Sequence, residues 1–428
     1  MRPTRRTLLA APFASSVMTT NAAAAPPPGE HQAAADALGY FVGQGSKASG
    51  GPGDIAVGQW MEAGLRAAGF RTERQVFEAP YFDVAEATLV TGSMTTWVIP
   101  QAIVTPTASE GVAGPLRLRS VLNAAEPADG AIVVLQLPYA RWSSAASEAV
   151  RNPVNAAIAA GAQAVVLVTT GPTGEALALN ADGDKPMFAK PVAIVGSREG
   201  GALLRAATAG TEARLTLTGA GGRREAFNVI GRLDRGHRRW LVVSTPRSGW
   251  FTCAGERGPG VAVWTLLARW AAKAELPVNV VFVCNSGHEY ENFGAARLLD
   301  GAAPAPSDTA FWLHLGANVA ARDWHEAGSQ LSPLPSADPQ RFLLTTQGLL
   351  PAARQAFSGL PGLETPYPLS DGAAGELTHI AAAGYPRLAG IFGAHRFHHA
   401  RADDARCVSA DLILPAAQAC RALILAAI

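Results

Sequence analysis

The stretch Val278-Asn279-Val280-Val281-Phe282-Val283-Cys284, followed by Asn285-Ser286-Gly287-His288-Glu289-Tyr290-Glu291, decides the fold. An apolar run of strand length that stops abruptly at polar residues reads as a β-strand buried on both faces, ending in a loop. Trp240-Leu241-Val242-Val243 repeats the arrangement upstream. There an apolar strand leads into the polar, glycine-rich loop Ser244 to Gly260 and a helix over Pro259 to Ala272. Phe227 to Ile230, Phe311 to Leu315, Phe342 to Thr345 and Pro386 to Phe392 add strands. Phe293 to Leu299 and Leu412 to Ile428 add helices. Near-continuous apolar strands alternating with helices predict an α/β fold, a mostly parallel sheet sandwiched by helices. Such sheets bind ligands at the carboxyl ends of their strands. The loops after Val243, Cys284, Leu315 and Phe392 are therefore where a site is expected.

Upstream of this region, Ile55 to Phe70 has the spacing of an amphipathic helix. Arg71 to Val90 reads as two strands separated at Ala79-Pro80. Residues 110–220 have a rhythm of their own. Strands over Ala131 to Leu137, Ala164 to Val168 and Pro191 to Val195 are interleaved with helical segments near Ala156 to Ala162 and Ala202 to Ala209. This pattern predicts a small α/β insert, with residues 26–109 and 221–428 forming the two parts of the larger domain.

Composition bounds the function. The 428 residues carry 35 Lys+Arg against 34 Asp+Glu, a net charge of +1, which gives no basic field for nucleic acid. With 48% hydrophobic and 16% charged residues, the chain has ample core and is neither disordered nor a disulfide-stapled miniature. At the start, Thr4-Arg5-Arg6-Thr7-Leu8-Leu9 precedes an apolar run and the small residues Ala22 to Ala25. This is the pattern of a twin-arginine signal over residues 1–25, so a periplasmic or secreted protein is expected. Cys407 and Cys420 are candidates for a disulfide in that setting. No stretch of the mature chain reads as a membrane span, and the expected partner is a small-molecule or peptide substrate.

Polar residues gather at the expected strand ends. Ser248, Cys253, Glu256 and Arg257 follow one strand, and His288 and Glu289 a second. His314 closes a third, and the run Ala394 to Asp403, with His395, His398 and His399, follows a fourth. Single polar loop residues are commonly just solvated. Several His, Glu, Cys and Ser residues converging on one sheet edge offer metal ligation or acid–base chemistry.

The order of these pieces resembles the zinc-dependent exopeptidases, the family of bacterial aminopeptidases, glutamate carboxypeptidases and the transferrin receptor. The resemblance is carried by Asn228-Val229-Ile230, Gly258-Pro259-Gly260-Val261-Ala262, Gly287-His288-Glu289 and His399-Ala400-Arg401-Ala402-Asp403. The 110–220 insert resembles a protease-associated domain, through Asn155-Ala156-Ala157, Gly161-Ala162 and Pro191-Val192-Ala193-Ile194. The resemblance implies two zinc ions, but their ligands are largely substituted. Pro246-Arg247-Ser248 stands where the family has His-x-Asp, Glu256 where it has a bridging aspartate, and His288 where it has the general-base glutamate. A later aspartate ligand aligns with Gly316 or, two residues away, His314. Glu289 and His399 are retained, with His398 beside the latter.

The expected site therefore holds at most one zinc ion, on Glu289, His399 and Glu256 or, in its place, His288. His288, Ser248 and Cys253 are the candidate catalytic residues. Arg247, Arg257, Trp250 and Tyr290 are the candidates for substrate binding. The implied function is hydrolysis of an amide or peptide-like substrate through a rebuilt site. Two alternatives remain open, a metal-free Ser/Cys–His hydrolase in the same cleft and an inactive relative that binds without turnover.

Overall fold

The computed structural model describes residues 29–428. The signal read over residues 1–25 lies outside them. The strands Leu388–Gly393, Thr309–Leu315, Trp240–Pro246 and Asn279–Asn285 lie side by side in parallel, in that order. Arg341–Thr345 pairs antiparallel with Leu388–Gly393, and the long strand Glu212–Leu233 pairs antiparallel with Asn279–Asn285.

Alternation along the parallel strands explains why they are mainly apolar at both parities. Leu241, Val243, Val280, Phe282, Phe311 and Leu313 point to one face. There they pack against the helices Glu30–Gly43, Pro52–Ala67, Ala254–Lys273 and Ala410–Ala427. Val242, Val281, Val283 and Trp312 point to the other face, under the helices Phe293–Leu299 and Glu376–Ala382. Both faces are covered, so the strands are mainly apolar on both sides, and the buried polar residues Ser244, Asn285 and His314 lie toward their carboxyl ends. Ala410–Ala427 is long and apolar enough to cross a membrane. Here it buries Ile413, Leu423 and Ile424 in the core and ties Arg421 to Glu30 at 2.6 Å.

Residues 71–91 form one strand, where two were expected. Its partner is Glu212–Leu233, and Pro80 stands opposite Arg223. The far edge of Arg71–Thr91 is paired only at its end, by Met94–Trp97, so a proline at position 80 removes no ladder hydrogen bond there. Val112–Arg119, Ile132–Tyr139, Ala164–Thr170 and Val192–Gly196 make a second parallel group. This group carries apolar clusters of its own and joins Glu212–Leu233 through Val112–Arg119. All four cysteines, Cys407 and Cys420 included, are unpaired and buried.

Candidate functional site

The Ala254–Lys273 helix brings Glu256 and Arg257 to the strand ends, and its start is fixed from far along the chain. Asp403 Oδ1 accepts from Gly255 N at 2.6 Å, and Oδ2 accepts from Glu256 N at 3.1 Å. The carboxylate thus satisfies two amides at the positive end of the helix. His395 Nε2 holds Asp403 Oδ2 from behind, at 3.1 Å. A side chain at Gly255 would place its Cβ 2.7 Å from His395 Cε1 and 3.0 Å from Asp403 Oδ1.

Arg257 is the charge at the centre of the site. Its side chain is 1% exposed, and Nη2 lies 2.7 Å from Glu256 Oε1. Nε donates to Ser248 O at 3.3 Å. Neither Nη1 nor Nη2 completes an aligned hydrogen bond among the described residues, and Arg257 lines a cavity of about 400 Å³. Phe342 and Phe392 give this cavity apolar lining, and Ser143, Ser144 and Asn180 line it as well. Burial opposes ionisation of Glu256, but Arg257, then His399 and His398, outweigh it and hold the carboxyl well below its usual range.

His398 and His399 stack at 4.0 Å over Glu256. His399 Nδ1 donates to Ala178 O at 2.7 Å, which leaves Nε2 toward Glu256 Oε1 at 3.4 Å. His398 Nε2 is 3.1 Å from Ser143 Oγ, and Nδ1 is 4.0 Å from Glu256 Oε1 with no hydrogen bond. Burial, then His399, pushes His398 well below the usual imidazole range.

His288, His314 and Glu376 line the cavity as well. Trp312 Nε1 donates to Ser244 Oγ at 2.8 Å, and Ser244 lies 2.9 Å from His314 Nδ1. The serine hydrogen has no other acceptor among the described residues, so it goes to Nδ1. His314 then carries its proton on Nε2, which has no partner. Burial and Arg257 lower its pKa to about 3, so this donor is a neutral imidazole. Glu376 Oε2 accepts from Asn285 Nδ2 at 2.8 Å, while Oε1 faces His288 Nδ1 at 3.6 Å without a hydrogen bond. Burial raises Glu376 to about 7, against the smaller opposing pull of Asn285 and Arg257. Burial, then Arg257, pushes His288 well below the usual range.

Several expected site residues are placed elsewhere. Arg247 is fully buried in an ion pair with Asp54 at 2.9 Å and donates to the carbonyls of Asp54, Cys284 and Phe227, so it does not reach the cavity. Glu289, expected as a metal ligand, turns away. Its Oε1 accepts from Ser49 N at 2.6 Å, and burial raises its carboxyl. Ser248 Oγ accepts from the backbone N of His288 at 3.0 Å, and no hydrogen bond joins it or Cys253 to the His288 ring among the described residues. Cys253 is buried, and burial followed by Glu256 pushes its thiol well above the usual range, the opposite of an activated nucleophile. Trp250 donates to Asn180 Oδ1 at 2.8 Å, and Tyr290 packs with Ala102 and Ala181. Both aromatics support the wall around the site, and neither lines the cavity. Glu376, Asn285 and Ser244 are the participants that the sequence reading lacked. Glu376 sits in the first turn of a seven-residue helix, outside any recognisable motif.

The resemblance to the zinc-dependent exopeptidases implies zinc, and the donor set can be tested against it. Glu256, His398 and His399 bring one carboxylate and two imidazoles within 4.8 Å of one another, all buried. Both Glu256 oxygens and His398 Nδ1 lack hydrogen-bond partners. Number and kind fit a single ion with an open position. Arg257, on the same carboxylate, competes with that ion for Glu256.

No protein-family model matches this chain, and no curated protein sequence does. Solved structures do match it. A zinc aminopeptidase from Bacillus subtilis aligns with TM-score 0.72 and 17% identity, over 94% of this chain and 95% of that one. An aminopeptidase from Aneurinibacillus sp. strain AM-1 aligns with TM-score 0.66 and 18% identity, over 93% of each chain. A peptidase M28 precursor from Shewanella amazonensis aligns with TM-score 0.68 and 15% identity, over 93% of this chain and 94% of that one. These likenesses show that the chain has the aminopeptidase fold along almost its whole length.

Proposed function

We propose that this protein is an exported hydrolase that cleaves an amide bond in a small, peptide-like substrate. The reaction takes place in the cavity between Arg257, Glu376 and the paired histidines. The reading rests on Glu376, a buried carboxyl with one oxygen unpaired toward the cavity and a pKa near 7. A base poised there takes a proton from water and returns it to a leaving amine near neutral pH. His314 lines the same cavity, and its partnerless Nε2–H is the donor for the carbonyl oxygen as negative charge develops on it.

A second reading places one zinc ion on Glu256, His398 and His399, favoured by the partnerless atoms of that set. Such an ion would supply a Lewis acid for the carbonyl. The roles of Glu376 and His314 are the same in either case.

The test is turnover of a panel of dipeptides, aminoacyl anilides and N-acyl amino acids by the full chain, with and without added zinc. Hydrolysis that falls by about a hundredfold or more in a folded Glu376→Gln variant is expected. Saturable binding without turnover of any panel member would replace the hydrolase with a binding protein. Export is tested separately by fractionating cells that carry Arg5→Lys/Arg6→Lys. Retention of this variant in the cytoplasm, with the parent outside it, is expected.

A further inference from the structure

We propose that Arg257 is the recognition site for a carboxylate group on the substrate, which makes the preferred substrates acids rather than neutral amides or esters. The inference deepens the hydrolase reading and rests on it for the identity of the ligand as a substrate. Arg257 is held from two sides, by Ser248 O at Nε and by Glu256 at Nη2. Its guanidinium plane is therefore set before anything binds. What remains is Nη1, buried and without a partner, and Nη2, which has only its ion pair to Glu256 and no aligned hydrogen bond, on a residue that lines the cavity. Buried polar groups in folded proteins are almost always hydrogen-bonded, so unmatched donors mark where a ligand atom fits. A planar guanidinium edge matches a carboxylate, two oxygens to two nitrogens.

The rest of the cavity narrows the class. The start of the Ala254–Lys273 helix would attract a phosphate, but Asp403 already occupies its Gly255 and Glu256 amides. Lys47 is buried against Phe41 and donates to Gly45 O, outside the cavity lining. Phe342 and Phe392 supply the apolar wall against which the body of a small acid would lie.

The experiment uses the unmodified full chain and its Glu376→Gln variant, whose binding is read free of turnover. The probes are N-acetyl amino acids of varied side chain, each offered as free acid, methyl ester and primary amide, with calorimetric titration as the readout. The expected result is saturable binding of at least one acid, weakened tenfold or more in its ester and amide. Arg257→Lys, checked for folding by circular dichroism, should erase that preference. Equal binding of acid, ester and amide, or no binding by any acid, would overturn the proposal. Turnover of esters and amides at the same rate as acids would remove the carboxylate site and leave the hydrolase standing. Acid-selective binding without turnover would do the reverse.

Discussion

The guanidinium of Arg257 lies 2.7 Å from the carboxylate of Glu256, and both side chains are buried. The two are neighbours in sequence at the start of one helix, where the aminopeptidase resemblance places a metal-bridging carboxylate. This chain therefore supplies, from the next side chain, a positive charge beside that carboxylate.

Removing the arginine should be costly and should also free the donor set. Arg257→Met leaves a buried carboxylate short of its cation, and a loss of about 3–5 kcal/mol in urea unfolding is expected. The double variant Arg257→Met/Glu256→Leu should recover most of it. Taking away the competing charge should also raise zinc affinity by about tenfold or more in Arg257→Met, read by mass spectrometry after equilibrium dialysis. A single variant as stable as the parent, with unchanged zinc uptake, would show that the histidines and not Arg257 compensate Glu256.

Glu376 makes two pH predictions with opposite signs. As a base it must be ionised, so turnover should rise with pH through about 7, and that limb should vanish in Glu376→Gln. For stability, the folded carboxyl binds its proton more tightly than an unfolded one near 4.5. Its contribution is full below about 4.5 and is lost as pH rises through about 7, on the order of 3 kcal/mol. Glu376→Gln should flatten that slope and unfold later than the parent at pH 8. A parallel pH–stability curve for the two proteins would show that Glu376 ionises normally.

Asp403 is predicted to act at a distance as a positioning residue. Asp403→Ala strips two amides and His395 of their partner, and a cost of about 2 kcal/mol in thermal unfolding is expected. Asp403→Asn keeps one acceptor and should cost less. In both, catalytic rate should fall further than substrate affinity, because Glu256 and Arg257 lose their fixed place. Unaltered rates in folded Asp403→Ala would limit the residue to capping.

The parallel sheet was legible in the sequence because two covered faces force apolar residues at both parities of each strand. The same parity misled at Arg247. Val243 points toward the Pro52–Ala67 side, and Arg247 continues that face beyond the strand end, under Gly58, where a Cβ would come within 2.8 Å of the guanidinium. Position at a strand end suggests exposure to ligand, but the backbone pairing runs one residue further, with Arg247 N on Asn285 O at 2.9 Å. Glu256, Arg257, His288 and His399 could be placed because each follows a strand within a recognisable order. Glu376 could not. Its partner Asn285 lies 91 positions away, and only the tertiary fold gives its carboxyl an environment different from that of any surface glutamate.

Residues 178–181, in the loop between the strands Ala164–Thr170 and Val192–Gly196, touch three loops of the site at once. Ala178 bonds both the ring and the backbone of His399, Asn180 receives Trp250, and Ala181 N bonds Glu289 O. These ties join regions whose apolar clusters are separate. Neither region can rotate against the other without pulling the histidine from its carboxylate, so the geometry of the reaction centre is a gauge of how the two halves are seated. The protein should then melt in one cooperative step, and a molecule lodged in the cavity would act as a rivet, raising the melting point of both halves together.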